Sequence, residues 1–256
     1  MAADKPVILL AHGAWHAPSL YDPLRDALAA RGYELLVPEL ATLGAGKTGI
    51  GWDADVAVLL ETAAPLFAQG RSVALLGHSY GGIPACIATR GHGVEERRAA
   101  GQSGGFSQVA FLCAFAMPAK GMSVMSVSGG SWLPWHKVIE LGPGRNQLFV
   151  NEKAKDLLYN DFPPDRAQAA FDSLVPSSYE AFTTGVDFAV PEVAIPKAYI
   201  VCEGDALFPP EHQKALATAC GEDLVQLSVS GGHSAFASVP EELADVLSQL
   251  LGGKPQ

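Results

Sequence analysis

The sequence is poor in charge, and what charge it has is unbalanced. Only 17% of the 256 residues are charged, and they are scattered. A long disordered stretch, which needs high charge and low hydrophobicity, is therefore not expected. Basic residues are the scarcer kind, 17 against 27 acidic ones, for a formal net charge of -10 at pH 7. Nucleic acid and anionic membrane surfaces recruit proteins through basic patches, so neither is expected as a partner. The most basic stretch, Arg97-Arg98, is flanked by Glu95 and Glu96 and reads as a solvated loop.

Cysteine is also sparse. Cys86, Cys113, Cys202 and Cys220 include no CxxC pair, which argues against a zinc ribbon or a thioredoxin-type site. Cys113 and Cys202 sit in apolar runs, where thiols are usually reduced and inert. No hydrophobic run approaches the ~18 residues of a membrane span. The run Val7 to Ala11 is too short for a secretory signal core. A cytoplasmic protein is the expectation.

Hydrophobic residues make up 48% of the chain, enough for a sizeable core in one α/β domain with a small subdomain. Short apolar runs alternate with amphipathic ones. Strands are predicted at Val7–Ala11, Tyr33–Val37, Ser72–Leu76, Val109–Phe115, Pro196–Cys202 and Leu224–Val229. Helices are predicted at Pro18–Arg31, Asp53–Gln69, Tyr80–Thr89, Pro209–Cys220 and Pro240–Leu251. Apolar strands alternating with helices indicate a mostly parallel sheet covered on both faces. Two segments break the alternation. His92 to Phe106 is polar and glycine-rich and reads as a surface loop. Met117 to Ile195 carries many aromatics, among them Trp132, Trp135, Tyr159 and Phe182, and reads as a cap over a pocket. The domain division is thus a core of 1–116 and 196–256 with a cap (lid) insertion at 117–195.

Gly77-His78-Ser79-Tyr80-Gly81 fits G-x-S-x-G, with the strand-like Val73 to Leu76 before it and a helical Gly82 to Ala85 after it. Strand, sharp turn and helix form the setting that puts a serine hydroxyl above a sheet as a nucleophile. The glycines remove side chains that would collide with neighbouring elements. A serine nucleophile needs a base, and the base an orienting carboxylate, in the chain order Ser, acid, His for such folds. The next-to-last strand runs into Glu203-Gly204-Asp205 and the last into Gly232-His233. His233 is the predicted base. Asp205 is the preferred acid because it lies farther into its loop, with Glu203 as the alternative. The oxyanion hole is assigned to the Tyr80 amide and, from the loop His12 to His16, the Ala14 amide.

Two other patterns are set aside. Ala41 to Thr48 resembles a relaxed phosphate loop, but Gly49 and Gly51 follow Lys47-Thr48 where a helix should start. His12 and His16 have a zinc-like spacing, but in a loop without an adjacent glutamate, and read as structural.

The segments His12 to His16, Gly77 to Gly82, Cys202 to Pro209 and Gly232 to Ser234 together resemble the α/β-hydrolase family. More narrowly, they resemble its branch of methylesterases, hydroxynitrile lyases and pyrethroid-type carboxylesterases. The resemblance implies an α/β-hydrolase fold, a Ser79–Asp205–His233 triad, an Ala14/Tyr80 oxyanion hole, and no cofactor or metal. Plant hydroxynitrile lyases of the branch carry threonine and lysine where this sequence has Gly13 and Ala206, which favours ester hydrolysis. The expected activity is hydrolysis of a small apolar or aromatic carboxylic ester by a monomer or homodimer. The rivals are a lyase or biosynthetic enzyme that uses the triad as a base for C–C chemistry, and a ligand receptor that kept the fold.

Overall fold

A computed structural model describes residues 5–252. Among them nine strands follow in chain order: β1 (Val7–Ala11), β2 (Leu35–Leu36), β3 (Ser72–His78), β4 (Gly105–Leu112), β5 (His136–Glu140), β6 (Asn146–Val150), β7 (Ser177–Ser178), β8 (Lys197–Cys202) and β9 (Leu224–Val229). Six of them form one sheet, in the order β2-β1-β3-β4-β8-β9. Every adjacent pair in it is parallel.

Alternate residues of each central strand face opposite cores. Val7, Leu9 and Ala11 pack on one side with Leu59 and Phe67 of the helix Trp52–Ala68 and with Ile83. Ile8 and Leu10 pack on the other with Leu24 and Leu28 of the helix Asp22–Ala30 and with Leu243 of the helix Pro240–Gly252. Burial on both faces is why these strands are apolar throughout rather than alternating. Each fully buried Leu or Ile contributes roughly 1.5–3 kcal/mol.

The register lines up the strand ends. Ala11 pairs with Gly77, His78 with Leu112, Leu112 with Ile200, and Cys202 with Val229. The loops after β1, β3, β8 and β9 therefore emerge at one edge of the sheet, where open α/β sheets bind ligands.

Between β4 and β8 the chain builds a small antiparallel sheet, β5-β6-β7, and several short helices. The longest described helix there, Pro164–Asp172, starts with proline at its first position, where the missing N–H costs nothing. The small sheet ties back to the core through a bridge between Leu43 and Ser177. No helix of the described residues is long and apolar enough to cross a membrane.

Several elements differ from the sequence reading. His92 to Phe106 is not simply a loop: Val94–Ala99 is helical, and β4 already begins at Gly105. The pattern Glu95-Glu96-Arg97-Arg98 puts acid in the first turn and base in the last, as the helix dipole favours. Arg97 also lies 4.6 Å over the Phe67 ring, so it is not a freely solvated side chain. The second strand shrinks to two residues because it is an edge strand, and only Leu35 and Leu36 pair with β1. The fourth strand stops at Leu112 because Cys113 has a positive φ of 36° and turns the chain away, after a last amide bond to the Ile200 carbonyl at 3.0 Å. Pro18–Tyr21 is a separate 3-10 turn before the first helix.

Candidate active site

The tip of β3 carries Ser79. The three residues after the strand, Ser79–Gly81, make a 3-10 turn, and the helix Gly82–Ala88 follows. Ser79 has φ 52°, a conformation that costs a non-glycine residue on the order of 1–3 kcal/mol. The Phe115 amide fixes it by donating to the Ser79 carbonyl at 3.0 Å. The glycines are there for close approach: a Cβ on Gly81 would lie 2.0 Å from the Ala11 carbonyl oxygen, and one on Gly77 2.6 Å from the Gly82 Cα.

His233, on the loop after β9, bridges the other two residues singled out in the sequence. Its Nε2 lies 3.1 Å from Ser79 Oγ and its Nδ1 2.8 Å from Asp205 Oδ2. All three residues are buried. An ionised carboxylate only accepts, so Nδ1 carries the proton and Nε2 is left as an acceptor for the serine hydroxyl. Asp205 is further loaded with donors. Its Oδ1 accepts the Leu207 and Phe208 amides at 2.8 and 2.9 Å, and its Oδ2 accepts Gln213 Nε2 at 3.1 Å. These bonds fix the rotamer of the carboxylate. Glu203 instead pairs with Lys214 Nζ at 2.9 Å at the surface.

Gln213 escaped the sequence reading. It sits in the helix Pro210–Ala219, fully buried, and its Oε1 also accepts the Cys202 amide at 3.0 Å. A glutamine on a helix facing the sheet has no signature beyond its inward position, and periodicity alone does not flag it.

The loop after β1 is braced by its histidines. His12 Nδ1 donates to the Gly13 carbonyl at 2.9 Å, and its Nε2 accepts the Leu40 amide at 3.0 Å. His16 Nδ1 donates to the Ala14 carbonyl at 2.7 Å. Burial pushes His12 down to about 4 and His16 to about 3, so both rings are neutral. The Ala14 and Tyr80 amides have no protein acceptor among the described residues, although both residues are buried and both line the cavity beside Ser79. Unpaired buried amides are rare, and a pair of them beside a serine hydroxyl suits a ligand oxygen.

His78 and Tyr21, also unmarked in the sequence, join these loops. The Gly13 amide donates to the Tyr21 hydroxyl at 2.8 Å, and that hydroxyl lies 2.7 Å from His78 Nδ1. His78 Nε2 lies 2.9 Å from the His233 carbonyl. The carbonyl accepts only, so Nε2 carries the hydrogen, Nδ1 accepts from Tyr21, and every member of the chain is satisfied. Burial, reinforced by neighbouring His233 and His16, holds the His78 ring well below the usual histidine range.

Tyr80 is anchored at its far end. Its hydroxyl donates to Asp55 Oδ2 at 2.6 Å, and Thr42 donates to the same carboxylate from its amide and its hydroxyl at 2.9 and 2.8 Å. Burial raises the Asp55 carboxyl, and these hydrogen bonds oppose it. Thr42 lies in the segment that resembles a phosphate loop. Here that segment is clasped by the insertion, with the Gly44 amide on the Pro176 carbonyl at 2.8 Å, and the next helix starts only at Trp52.

The cavity above Ser79 has a volume of about 250 Å³. Tyr80, Phe182 and Trp15 form a stack along its wall, with ring centroids 5.6 Å apart at each step. Val124, Leu133 and Trp135 of the insertion and Phe208 of the acid loop add further apolar surface, and no Asp, Glu, Lys or Arg lines it. The group His78, Cys113 and His233 is the one cluster of metal-type donors among the described residues, with ligand atoms within 4.8 Å of one another. Its imidazole nitrogens are committed to Tyr21, the His233 carbonyl, Asp205 and Ser79, which leaves no free set for a metal.

A parallel sheet with helices on both faces and a buried Ser–His–Asp arrangement beyond its strand ends define a hydrolase of the α/β type. The chain belongs to the alpha/beta hydrolase family, whose pattern matches residues 8–246. It is 24% identical over 250 residues to the alpha/beta hydrolase nvfD of Aspergillus novofumigatus, covering 97% of each chain. It is also 24% identical over 251 residues to a pyrethroid hydrolase of Sphingobium wenxiniae, covering 95% of this chain and 86% of that one. Among solved structures, polyneuridine aldehyde esterase superposes with a TM-score of 0.75 at 18% identity, over 96% of this chain and 99% of that one. The pyrethroid hydrolase and the polyneuridine aldehyde esterase match the branch to which the motifs pointed.

Proposed function

We propose that this chain hydrolyses a small, uncharged carboxylic ester through an acyl-enzyme on Ser79. The observation that carries the reading is His233, hydrogen-bonded on one side to Ser79 and on the other to Asp205, beside two amides that lack acceptors. Ser79 Oγ attacks the ester carbonyl carbon while His233 Nε2 takes the hydroxyl proton. The carbonyl electrons move onto the oxygen, which the Ala14 and Tyr80 amides hold. Collapse of the adduct breaks the bond to the alkoxy group, which leaves as the alcohol with the proton from His233. Water then attacks the acyl-enzyme by the same route, releasing the acid and restoring Ser79. Asp205 keeps the imidazole in the reactive tautomer and stabilises its charged form. No step calls for a cofactor or a metal.

The insertion 117–195 acts as the cap of this site. Its Val124, Leu133, Trp135 and Phe182 supply much of the cavity wall. A lining with no charged residue and a three-ring stack suits an apolar or aromatic ester of modest size.

The test is hydrolysis of p-nitrophenyl acetate and butyrate by the purified chain, against its Ser79→Ala variant. The reading expects turnover by the parent and loss of at least about a thousandfold in the variant. Full activity in Ser79→Ala would sink it.

A further inference from the structure

Three consecutive residues of the insertion each reach a different loop of the site. The Tyr159 hydroxyl lies 3.1 Å from His16 Nε2, the ring whose Nδ1 donates to the Ala14 carbonyl. Asn160 Nδ2 donates to the Gly204 carbonyl at 2.9 Å, one residue before Asp205. Asp161 Oδ2 accepts the Gly232 amide at 2.6 Å, one residue before His233.

The tripeptide is itself held in place. Leu158 and Tyr159 are buried. The Phe162 amide donates back to the Tyr159 carbonyl at 3.0 Å, and the two rings sit 5.1 Å apart. The fit is close on the other side too. A Cβ on Gly232 would lie 2.5 Å from Asn160 Oδ1 and 2.9 Å from Asp161 Oδ1. The glycine before the histidine is therefore the residue that lets the loop meet these side chains.

We propose that Tyr159, Asn160 and Asp161 are positioning residues, which hold the Ala14, Asp205 and His233 loops in mutual register over Ser79. The proposal rests on the ester-hydrolase reading above. Each residue has a defined chemical part. His16 Nδ1 is committed as a donor, so Tyr159 donates to Nε2. Asn160 is needed as a donor and Asp161 as an acceptor. The His233 Nε2 to Ser79 Oγ separation of 3.1 Å is already at the long end for proton transfer. A loop shift of a few tenths of an ångström would break that bond without disturbing the cavity wall.

The test uses the full chain with p-nitrophenyl butyrate as substrate and a fluorophosphonate probe to time the reaction of Ser79. Asn160 and Asp161 are exposed, so their variants should fold, which thermal melting checks. Asn160→Ala and Asp161→Ala should lower kcat and the labelling rate about 10- to 100-fold with KM changed less than about twofold, because misplacement acts on chemistry rather than on binding. Asp161→Asn keeps an acceptor oxygen and should recover to within a few-fold of the parent, roughly the difference between a charged and a neutral hydrogen bond. Asn160→Asp cannot donate to the Gly204 carbonyl and should be as slow as Asn160→Ala. Alanine variants within twofold of the parent would overturn the proposal. So would Asp161→Asn being as slow as Asp161→Ala, since charge and not acceptance would then matter. Ser79→Ala separates the two levels. If it is inactive while the alanine variants are normal, the positioning role fails alone; if it is fully active, the underlying reading fails as well.

Discussion

Acidification from pH 7 to pH 5 should cost this protein several kcal/mol of stability, through histidines that do not react. His12, His16 and His78 are fully buried, and burial is the largest cause holding each ring in its neutral form: His12 is pushed down to about 4, His16 to about 3, and His78 lies well below its usual value. In the unfolded chain each titrates near 6.5. Below that pH the unfolded state binds protons that the folded state refuses, so stability falls as pH falls. The contribution is whole above about 6.5 and is lost progressively down to the folded-state values. Between pH 7 and pH 5 the loss is about 2 kcal/mol for each of His12 and His16, about 4 kcal/mol together, and His78 adds to it in the same direction. A domain of this kind has only about 5–15 kcal/mol in total. Geometry gives the same sign: a proton on His12 Nε2 would face the Leu40 amide, donor against donor. Asp55, whose carboxyl is raised, works in the opposite direction but is a single group. Urea unfolding followed by circular dichroism at the two pH values measures the loss directly. His12→Gln, which removes one titrating ring, should shrink it by about 2 kcal/mol. A stability at pH 5 within about 1 kcal/mol of that at pH 7 would refute the reasoning.

Other perturbations probe the site's supports. Gln213→Leu leaves Asp205 Oδ2 one donor short and the Cys202 amide unpaired; urea melts should show a loss of about 1–3 kcal/mol, and kcat should fall with KM little changed. Tyr21→Phe removes the hydroxyl that the Gly13 amide donates to and that His78 Nδ1 accepts from; it should destabilise by a similar 1–3 kcal/mol and slow reaction with a fluorophosphonate probe. Gly81→Ala would place a Cβ 2.0 Å from the Ala11 carbonyl, a clash with backbone that cannot move aside, so the variant should be insoluble or inactive in expression and activity assays. Phe182→Ala opens the three-ring stack and should raise KM for aromatic esters more than for acetate esters in steady-state kinetics.

The elements that bear the site were legible because their physics is local. A strand buried on both faces is apolar in every residue, as Val7 to Ala11 and Val73 to Leu76 are, and the strained turn at Ser79 demands glycines at fixed offsets. Chain order then led to Asp205 and His233, and the structure places His233 within hydrogen-bond reach of both Asp205 and Ser79. What stayed hidden depends on partners distant in sequence. Gln213, Tyr21 and Asp55 are ordinary polar residues on helices or turns, and each matters only because of a group brought to it by the fold. The helix Val94–Ala99 was missed for the opposite reason: the surrounding glycines outweighed a charge pattern that marks both of its ends. The insertion was readable as aromatic but not as a sheet, because β5, β6 and β7 pair only with one another and with the Leu43 bridge.

The most direct test of the central claim is to mix the protein with a stoichiometric amount of p-nitrophenyl butyrate, quench at once with acid, digest it, and weigh the peptide that contains Ser79. The account predicts a transient butyryl group on that serine, absent when His233 is replaced by alanine. Rapid turnover with the Ser79 peptide unmodified at every time point would contradict it.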